Sequence, residues 1–534
     1  MATNVYDYII VGSGSAGCVV ANRLSTDRGN RILVLEAGGG DGHFWLKLPV
    51  GYFRSIYDKR FSRIFDTVPS ESTCNRNIRW PRGRIVGGSS SINGLAYIRG
   101  QREDFDDWFE NGAEGWSFEE VLPFFKSIEN HQFGDGQYHG GLGELPVSDL
   151  RNRNAACEAW LRAAVDYGLP FNGDFNGAST YGAGFYQLTI GRRFRASASA
   201  CFLRPALKRG NVDLLTNAMA TRVLFEKGIA IGIEWVADGQ VLTARAEREI
   251  VLSAGSLQTP QILQLSGVGS PDALRKHRIG VVAEAPDVGE NLQDHFQFRM
   301  ITELNRKLSL NDQVRNPVEL AKMGLEWLAF GRGPLTVGAG QVGGGAKTKF
   351  AELGRPDVQF NVMPLSMESP GMPLQAFSGF TSAVWQCHPK SRGKISIQSS
   401  DPFVQPRIEP NYLTDMRDRE ILVEGLKMLR EIHNRPAFSS IASKELTPGR
   451  KVQTDERLCG EVRCGGGTVF HPVGSCRMGR DNLAVVDSRL RVRGVERLRV
   501  IDASVMPKIT SANTNAATLM IAEKGASMLI RDSG

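Results

Sequence analysis

The segment TVFHPVGSCRMG, residues 468–479, places His471 between a glycine triplet and a proline, with Cys459, Cys464 and Cys476 close by in sequence. Three kinds of chemistry fit these residue types. A neutral imidazole, whose pKa lies near working pH, can take a proton from a substrate. Together with the thiols it could hold zinc, although the spacings C-x4-C, C-x6-H and H-x4-C lack the CxxC knuckle of common zinc sites. Flanked by Val469, Phe470 and Val473, it could also be a buried structural histidine.

The elements that must position this residue begin at the N-terminus. The apolar run DYIIVG leads into GSGSAG, then a helical pattern VVANRLS and a second apolar run from Arg31 to Gly38, which reads as strand, helix, strand. Gly12, Gly14 and Gly17 fit GxGxxG in that context, with Glu36 closing the second strand. The glycines permit a tight turn and close backbone approach, the helix N-terminus faces a pyrophosphate, and Glu36 accepts hydrogen bonds from ribose hydroxyls. Two later runs, EIVLSAGS (249–256) and RLRVIDAS (497–504), also pass from strand to helix, so three strand ends are expected side by side in one parallel sheet. The fingerprint alone leaves NAD and FAD open. An irregular, aromatic stretch, GGGDGHFWLKLPVGYFRSIYDKRFS, follows in place of further alternating units and favours FAD.

Residues 296–460 differ in character. The runs VQFNV, SAVWQCHP and GKISIQ read as strands, with helices over Pro317–Phe330 and Asp418–Ile432. An antiparallel sheet with helices, inserted into the nucleotide-binding domain, is expected, with His388 as a sheet residue. No internal repeat is present.

A second glycine-rich loop, Gly83–Gly94 (GRIVGGSSSING), offers backbone N–H groups and hydroxyls to a phosphate or ring edge. With its continuation to Asp106, this loop resembles the first signature of the glucose-methanol-choline (GMC) oxidoreductases, FAD-dependent enzymes that oxidise alcohols. Residues 255–269 (GSLQTPQILQLSGVG) are similar to the second signature. DVGENLQDH (287–295), HPKSRGKI (388–395), the His471 segment and residues 500–526 extend the resemblance over nearly the whole chain.

The resemblance implies an α/β fold: a Rossmann-like FAD-binding domain with an inserted α+β substrate domain built on an antiparallel sheet. The expected boundaries are 1–155, 210–295 and 463–534 for the former and 156–209 and 296–462 for the latter. It implies that Gly12, Gly14, Ser15, Gly17, Glu36 and Ala37 hold the ADP half of FAD, with Val223 near the adenine. Arg84, Gly88, Ser91, Asn93 and Gly94 would lie along the pyrophosphate and flavin. Asp502 and Ala503 would meet the phosphates, and Asn515 and Ala516 the pyrimidine edge of the ring. Some relatives attach flavin covalently through a histidine in the serine-rich loop; Ile92 stands there, which implies non-covalent FAD.

The same resemblance makes His471 the base that takes the hydroxyl proton while hydride leaves the carbinol carbon for the flavin. Asn513 would donate its amide N–H to the developing alkoxide, since an amide cannot serve as the base; as a bare sequence feature it could equally cap the helix that follows. His295 is expected to be structural, near the flavin, and no metal is expected. The implied reaction is oxidation of an apolar or aromatic primary alcohol to the aldehyde, with a quinone-type carrier or oxygen as acceptor. Polyol, sorbose or choline oxidation, or a non-redox hydroxynitrile-type lyase that keeps FAD, are the alternatives. An NAD-dependent dehydrogenase is the first alternative within redox chemistry.

Composition agrees with an enzyme of this size. The chain has 534 residues and a formal charge of +7 spread along its length, with no basic block suited to nucleic acid. The eight cysteines are scattered and no secretory leader is evident, so reduced thiols and a cytoplasmic location are expected. No apolar run reaches the ~20 residues that cross a bilayer, which leaves room for peripheral membrane contact. Residues 363–377, with Met363, Met367 and Met372, read as an adaptable apolar lid over the substrate. A cationic alcohol such as choline would want an acid and an aromatic cage, for which Glu368 is the candidate.

Overall fold

A computed structural model describes residues 5–368 and 371–533. Two large sheets organise the chain. In the first, the strand order is Val212–Leu215, Ile32–Leu35, Val5–Val11, Gln240–Leu252, Ile229–Ala237, Met219–Glu226, and Leu498–Val500 also pairs with Gln240–Leu252. Val5–Val11 lies parallel to both Ile32–Leu35 and the C-terminal half of Gln240–Leu252, which lies parallel to Leu498–Val500. The three expected strand ends therefore adjoin. Ile32–Leu35 is buried at every position because helices cover both faces of a parallel sheet. The helix Ser15–Leu24 packs against the C-terminal helix Thr514–Ser533, so the two ends of the chain close the same layer.

The second sheet runs Ala442–Thr447, Phe296–Leu304, Gly379–Gln386, Val358–Met363, Val342–Ala346, Gly184–Phe185, and it is antiparallel. Strand side chains alternate between faces. Phe298, Val384 and Phe360 sit opposite one another and face the core with Leu422, Leu426 and Leu429 of the helix Met416–Asn434. One residue along, Arg299, Ala383 and Asn361 form the next register row on the opposite face.

Several local expectations change. The helix Pro317–Phe330 starts and stops where its sequence indicates, with Asn316 accepting from Val318 N–H (3.0 Å) and Gly331 ending it in the left-handed region. The second helix is longer, Met416–Asn434, because Asp415 accepts from Arg417 N–H at 2.8 Å and caps it two residues earlier. GKISIQ does not join the large sheet: Lys394–Ser396 pairs instead with Arg407–Glu409. His388 is not a sheet residue either. Pro389 has no N–H to give a ladder, and the N–H groups of Lys390 and Ser391 go to Asp418 (2.8 and 2.9 Å), so the strand stops at Gln386 and the chain turns. His388 Nε2 instead meets Asp104 Oδ1 at 2.7 Å. The thiols are not all reduced: Cys74 and Cys464 form a disulfide that ties the turn Glu71–Thr73 to the helix Asp455–Gly465. Cys464 is thereby withdrawn from any zinc set with His471, and no group of three or more His, Cys, Asp or Glu side chains suited to a metal occurs among the described residues. Among those residues no helix is long and apolar enough to cross a membrane.

Candidate active site

A cavity of about 910 Å³ is walled by the C-terminal ends of the first-sheet strands, by the Gly83–Gly94 loop and by one face of the second sheet. Of the residues singled out in the sequence, Gly12, Gly14, Ser15, Glu36, Ala37, Arg84, Gly88, Asn93, Gly94, His471, Asp502, Ala503, Asn513 and Asn515 line it. Gly17, Ser91, Val223 and Ala516 lie behind the wall. Ser91 Oγ donates to Val86 O, and Val223 is buried with its N–H bonded to Ser266 Oγ; Ala218, Met219 and Ala220 from the same part of the chain reach the cavity instead.

The glycines divide the work. Gly12 has φ +100° and runs so close to Ser253 O that a Cβ would fall 2.5 Å from it. Gly17 packs its helix directly onto the Gly12 backbone. A Cβ on Gly14 would meet nothing within 4 Å, although Gly14 lies on the cavity wall, and the same holds for Gly255. These are cradle positions, open on the side where a ligand's backbone-hugging part would lie. Glu36 accepts from Ser13 Oγ (2.7 Å), Ser13 N–H (3.1 Å) and Gly38 N–H (2.8 Å), which fixes the carboxylate at the end of its strand. Ser15 Oγ donates to Asn515 Oδ1 at 2.7 Å, so two helix N-termini open into the cavity side by side and give it positive potential. Asp502 differs from expectation in its use: its carboxylate accepts from Gly255 N–H (2.9 Å), Thr259 Oγ1 (2.6 Å) and Ser504 N–H (2.8 Å), and so anchors the Gly255 turn. A pyrophosphate, an adenine-bearing ribose and a flat ring system fit this donor set.

The loop carrying His471 is held by one buried carboxylate. Asp294 Oδ1 accepts from His471 N–H (2.7 Å), and Oδ2 accepts from Thr468 Oγ1 (2.6 Å) and from the Tyr412 hydroxyl. Burial raises the Asp294 pKa to about 6, against those hydrogen bonds and the nearby Arg82. Phe470 has φ +69°, a conformation that costs a bulky residue about 1–3 kcal/mol, and its N–H goes to Thr468 Oγ1 at 2.6 Å. That backbone turn brings both Phe470 and His471 to the cavity wall.

His471 is joined to three groups whose chemistry fixes its tautomer. His295 Nε2 lies 3.0 Å from Cys387 O, a pure acceptor, so Nε2 carries the proton and donates. Burial lowers the His295 pKa to about 4, so its Nδ1 is bare near neutral pH. His471 Nδ1, 3.0 Å from that nitrogen, must then be the donor. Its Nε2 is left with a lone pair, toward which Asn513 Nδ2 donates at 3.1 Å. Burial first, then His295 and Arg82, hold the His471 pKa well below 6.5. His295, expected to be merely structural, is thus in direct contact with His471. The sequence placed it in a motif, NLQDH, but gave no sign of a partner 176 residues away. Arg82, Tyr52, Tyr57, Gln297 and Arg299 on the cavity wall likewise carried no signal in their own sequence neighbourhood.

The fold and this cavity define the chain as a dinucleotide-binding oxidoreductase with a second, sheet-based domain over the site. Models of the GMC oxidoreductase family match residues 6–297 and 389–522, and the chain belongs to that family. It is 39% identical over 531 residues to the alcohol dehydrogenase [acceptor] of Pseudomonas putida, covering 99% of this chain and 96% of that one. It is 37% identical over 533 residues to the mitochondrial choline dehydrogenase of Mus musculus, covering 98% and 89% respectively. Among solved structures, pyridoxine 4-oxidase from Mesorbium loti superposes with a TM-score of 0.88 at 29% identity over 98% of each chain. A formate oxidase variant from Aspergillus oryzae shares the fold, with a TM-score of 0.92 at 23% identity over 100% of this chain and 99% of the other.

Proposed function

We propose that this protein oxidises a primary alcohol to the aldehyde with non-covalently held FAD, using His471 as the base and Asn513 as the group that holds the substrate oxygen. The observation that carries the reading is the hydrogen-bond chain Cys387–His295–His471–Asn513, which leaves one imidazole lone pair, at His471 Nε2, on the cavity wall. FAD, when bound, supplies an acceptor for the hydride that leaves the carbinol carbon. His471 Nε2 takes the hydroxyl proton, and the charge it gains is shared through Nδ1–H with the bare nitrogen of neutral His295. Asn513 Nδ2 can turn one N–H to the alkoxide oxygen as the proton departs. The Gly14 and Gly255 cradles, Glu36 and the two helix N-termini would hold the dinucleotide. At position 92 the side chain is a buried isoleucine packed with Leu46, Phe61 and Ile85, which has no nucleophile to bond a flavin.

An apolar or aromatic body for the alcohol is supported by the cavity wall, where Met363, Met367, Met372, Leu365 and Leu374 from the expected lid segment meet Phe53 and Phe470. Ser369 and Pro370 of that segment fall outside the described residues. The test is anaerobic flavin bleaching across aliphatic, aromatic, sugar and quaternary-ammonium alcohols. In His471→Ala the flavin should remain bound while its reduction slows by roughly 10²–10⁴-fold. Reduction at the wild-type rate would remove His471 from the mechanism, and a flavin that no alcohol bleaches would point to lyase chemistry.

We further propose that the cavity mouth rests on a membrane surface, so that a lipid-soluble quinone is the electron acceptor. The helix Pro317–Phe330 exposes Val318, Leu325, Leu328 and Phe330, each more than 60% accessible, while Leu320 and Met323 of the same helix line the cavity. Phe44 and Phe194 extend the apolar face around Trp327, with ring centroids 6.1 and 5.7 Å away. Arg193 lies over Trp327 and Arg332 over Phe330, an apolar face with a cationic rim that suits anionic headgroups.

A further inference from the structure

The cavity is unbalanced in charge. Among its described wall residues the only carboxylates are Glu36 and Asp502, and each is already held by hydrogen bonds at the dinucleotide end. The substrate side has cations instead. Arg82 has Asp294 within electrostatic reach, though its Nε and Nη2 are buried without a hydrogen-bond partner, and Arg315 is bonded to Asn311 O and to Asp312. Arg299 has no carboxylate in reach: no ion pair or hydrogen bond reaches its guanidinium from any described residue, and the groups in its electrostatic reach are the phenols of Tyr57 and Tyr52. The Tyr52 hydroxyl, on a side chain only 6% exposed, is itself without a hydrogen-bond partner. A half-buried cation that opens onto the cavity without a counter-charge, beside an unused hydroxyl donor, is an arrangement that a ligand carrying negative charge would complete.

The strand register explains why this set faces the substrate. Along Phe296–Leu304, Phe296, Phe298 and Met300 enter the core behind the sheet, so Gln297 and Arg299 must project to the cavity side. Gln297 Nε2 donates to Thr468 O at 3.0 Å, in the loop that carries His471, so Arg299 stands one step along the strand from that loop. Resting on the reading of the site as an alcohol-oxidising one, we propose that the alcohol substrate carries a carboxylate, which Arg299 binds with help from the Tyr52 and Tyr57 hydroxyls. A guanidinium presents paired N–H donors that match the two oxygens of a carboxylate. A quaternary-ammonium alcohol would meet like charge at Arg299 and find no free acid, since Glu368, the earlier candidate, is not on the cavity wall.

The experiment pairs hydroxy acids of graded chain length with their methyl esters as substrates of the FAD-loaded enzyme, and titrates it with the corresponding non-hydroxylated carboxylates by calorimetry. The expected result is a kcat/KM for the best acid at least ~30-fold above its ester. In Arg299→Met that ratio should collapse toward one, and in Arg299→Lys it should be partly kept. Carboxylate binding should weaken in parallel in both variants. An acid-to-ester ratio near one in the wild type, with no carboxylate bound, overturns the proposal. A ratio unchanged by Arg299→Met, together with a shifted flavin potential, assigns Arg299 to the cofactor and also overturns it. If no alcohol of either kind is oxidised but carboxylates bind in an Arg299-dependent way, the alcohol reading fails while the anion site stands.

Discussion

Replacing His295 tests the tautomer argument directly. In His295→Phe the ring volume is retained, but His471 Nδ1–H loses its acceptor at 3.0 Å in a buried setting. Leaving a buried donor unsatisfied costs about 1–3 kcal/mol. The imidazole can relieve that cost only by moving its proton to Nε2, which removes the lone pair that faces the substrate, or by rotating away from Asn513. Either route raises the barrier to proton removal by a similar amount, and at about 1.4 kcal/mol per decade the expected loss is roughly 5–150-fold in the rate of flavin reduction. His295→Gln should recover part of this, because an amide can accept from His471 with its oxygen and donate to Cys387 O with its nitrogen. The assay is anaerobic stopped-flow reduction at saturating alcohol, so that KM effects drop out. The pH profile is measured beside it: the wild-type acid limb should lie below pH 6.5, since the rate needs neutral His471 and burial lowers its pKa. A His295→Phe enzyme that reduces at the wild-type rate, with flavin bound and the same acid limb, refutes the assignment of proton positions.

Other consequences are open to measurement. Burial alone would lower the His139 pKa, but hydrogen bonds to Asp174 (2.9 Å) and Glu129 outweigh it and raise it from 6.5 to about 9. The folded state then holds this proton longer than the unfolded chain, so the stability it gives is complete below pH 6.5 and lost as pH rises through about 9, on the order of 3 kcal/mol. Thermal melts from pH 6 to 10 should show that fall and His139→Gln should flatten it; a variant with the wild-type slope excludes the assignment. For the surface helix, Leu325→Glu with Leu328→Glu should reduce sedimentation with anionic vesicles by at least tenfold while the melting temperature holds, because both side chains point into solvent. Unchanged vesicle binding, or a dimer in solution that the two changes dissociate, would mean that this face meets something other than lipid.

What the sequence determined by itself is what local pattern can encode. The apolar runs before GSGSAG, before Ser253 and before Asp502 are strands because continuous burial on both faces demands it, and their glycine or aspartate ends are where a dinucleotide site must form. His471 is visible as a candidate because its segment is short and glycine-bounded, whereas Asn513 reads locally as a helix cap and becomes a candidate only through the family resemblance. The chain could not reveal from local pattern that His295 hands His471 its proton arrangement, or that Asp294 holds the His471 loop, since those bonds join residues 176 and 177 positions apart. Nor could it show that Arg299 turns to the cavity, since that is set by which face of Phe296–Leu304 the helix Met416–Asn434 covers. The strand hydrophobicities at Ile32–Leu35 depend on neighbours in sequence, while a proton's position and a cation's lack of a partner depend on neighbours in space, and only the tertiary structure supplies those.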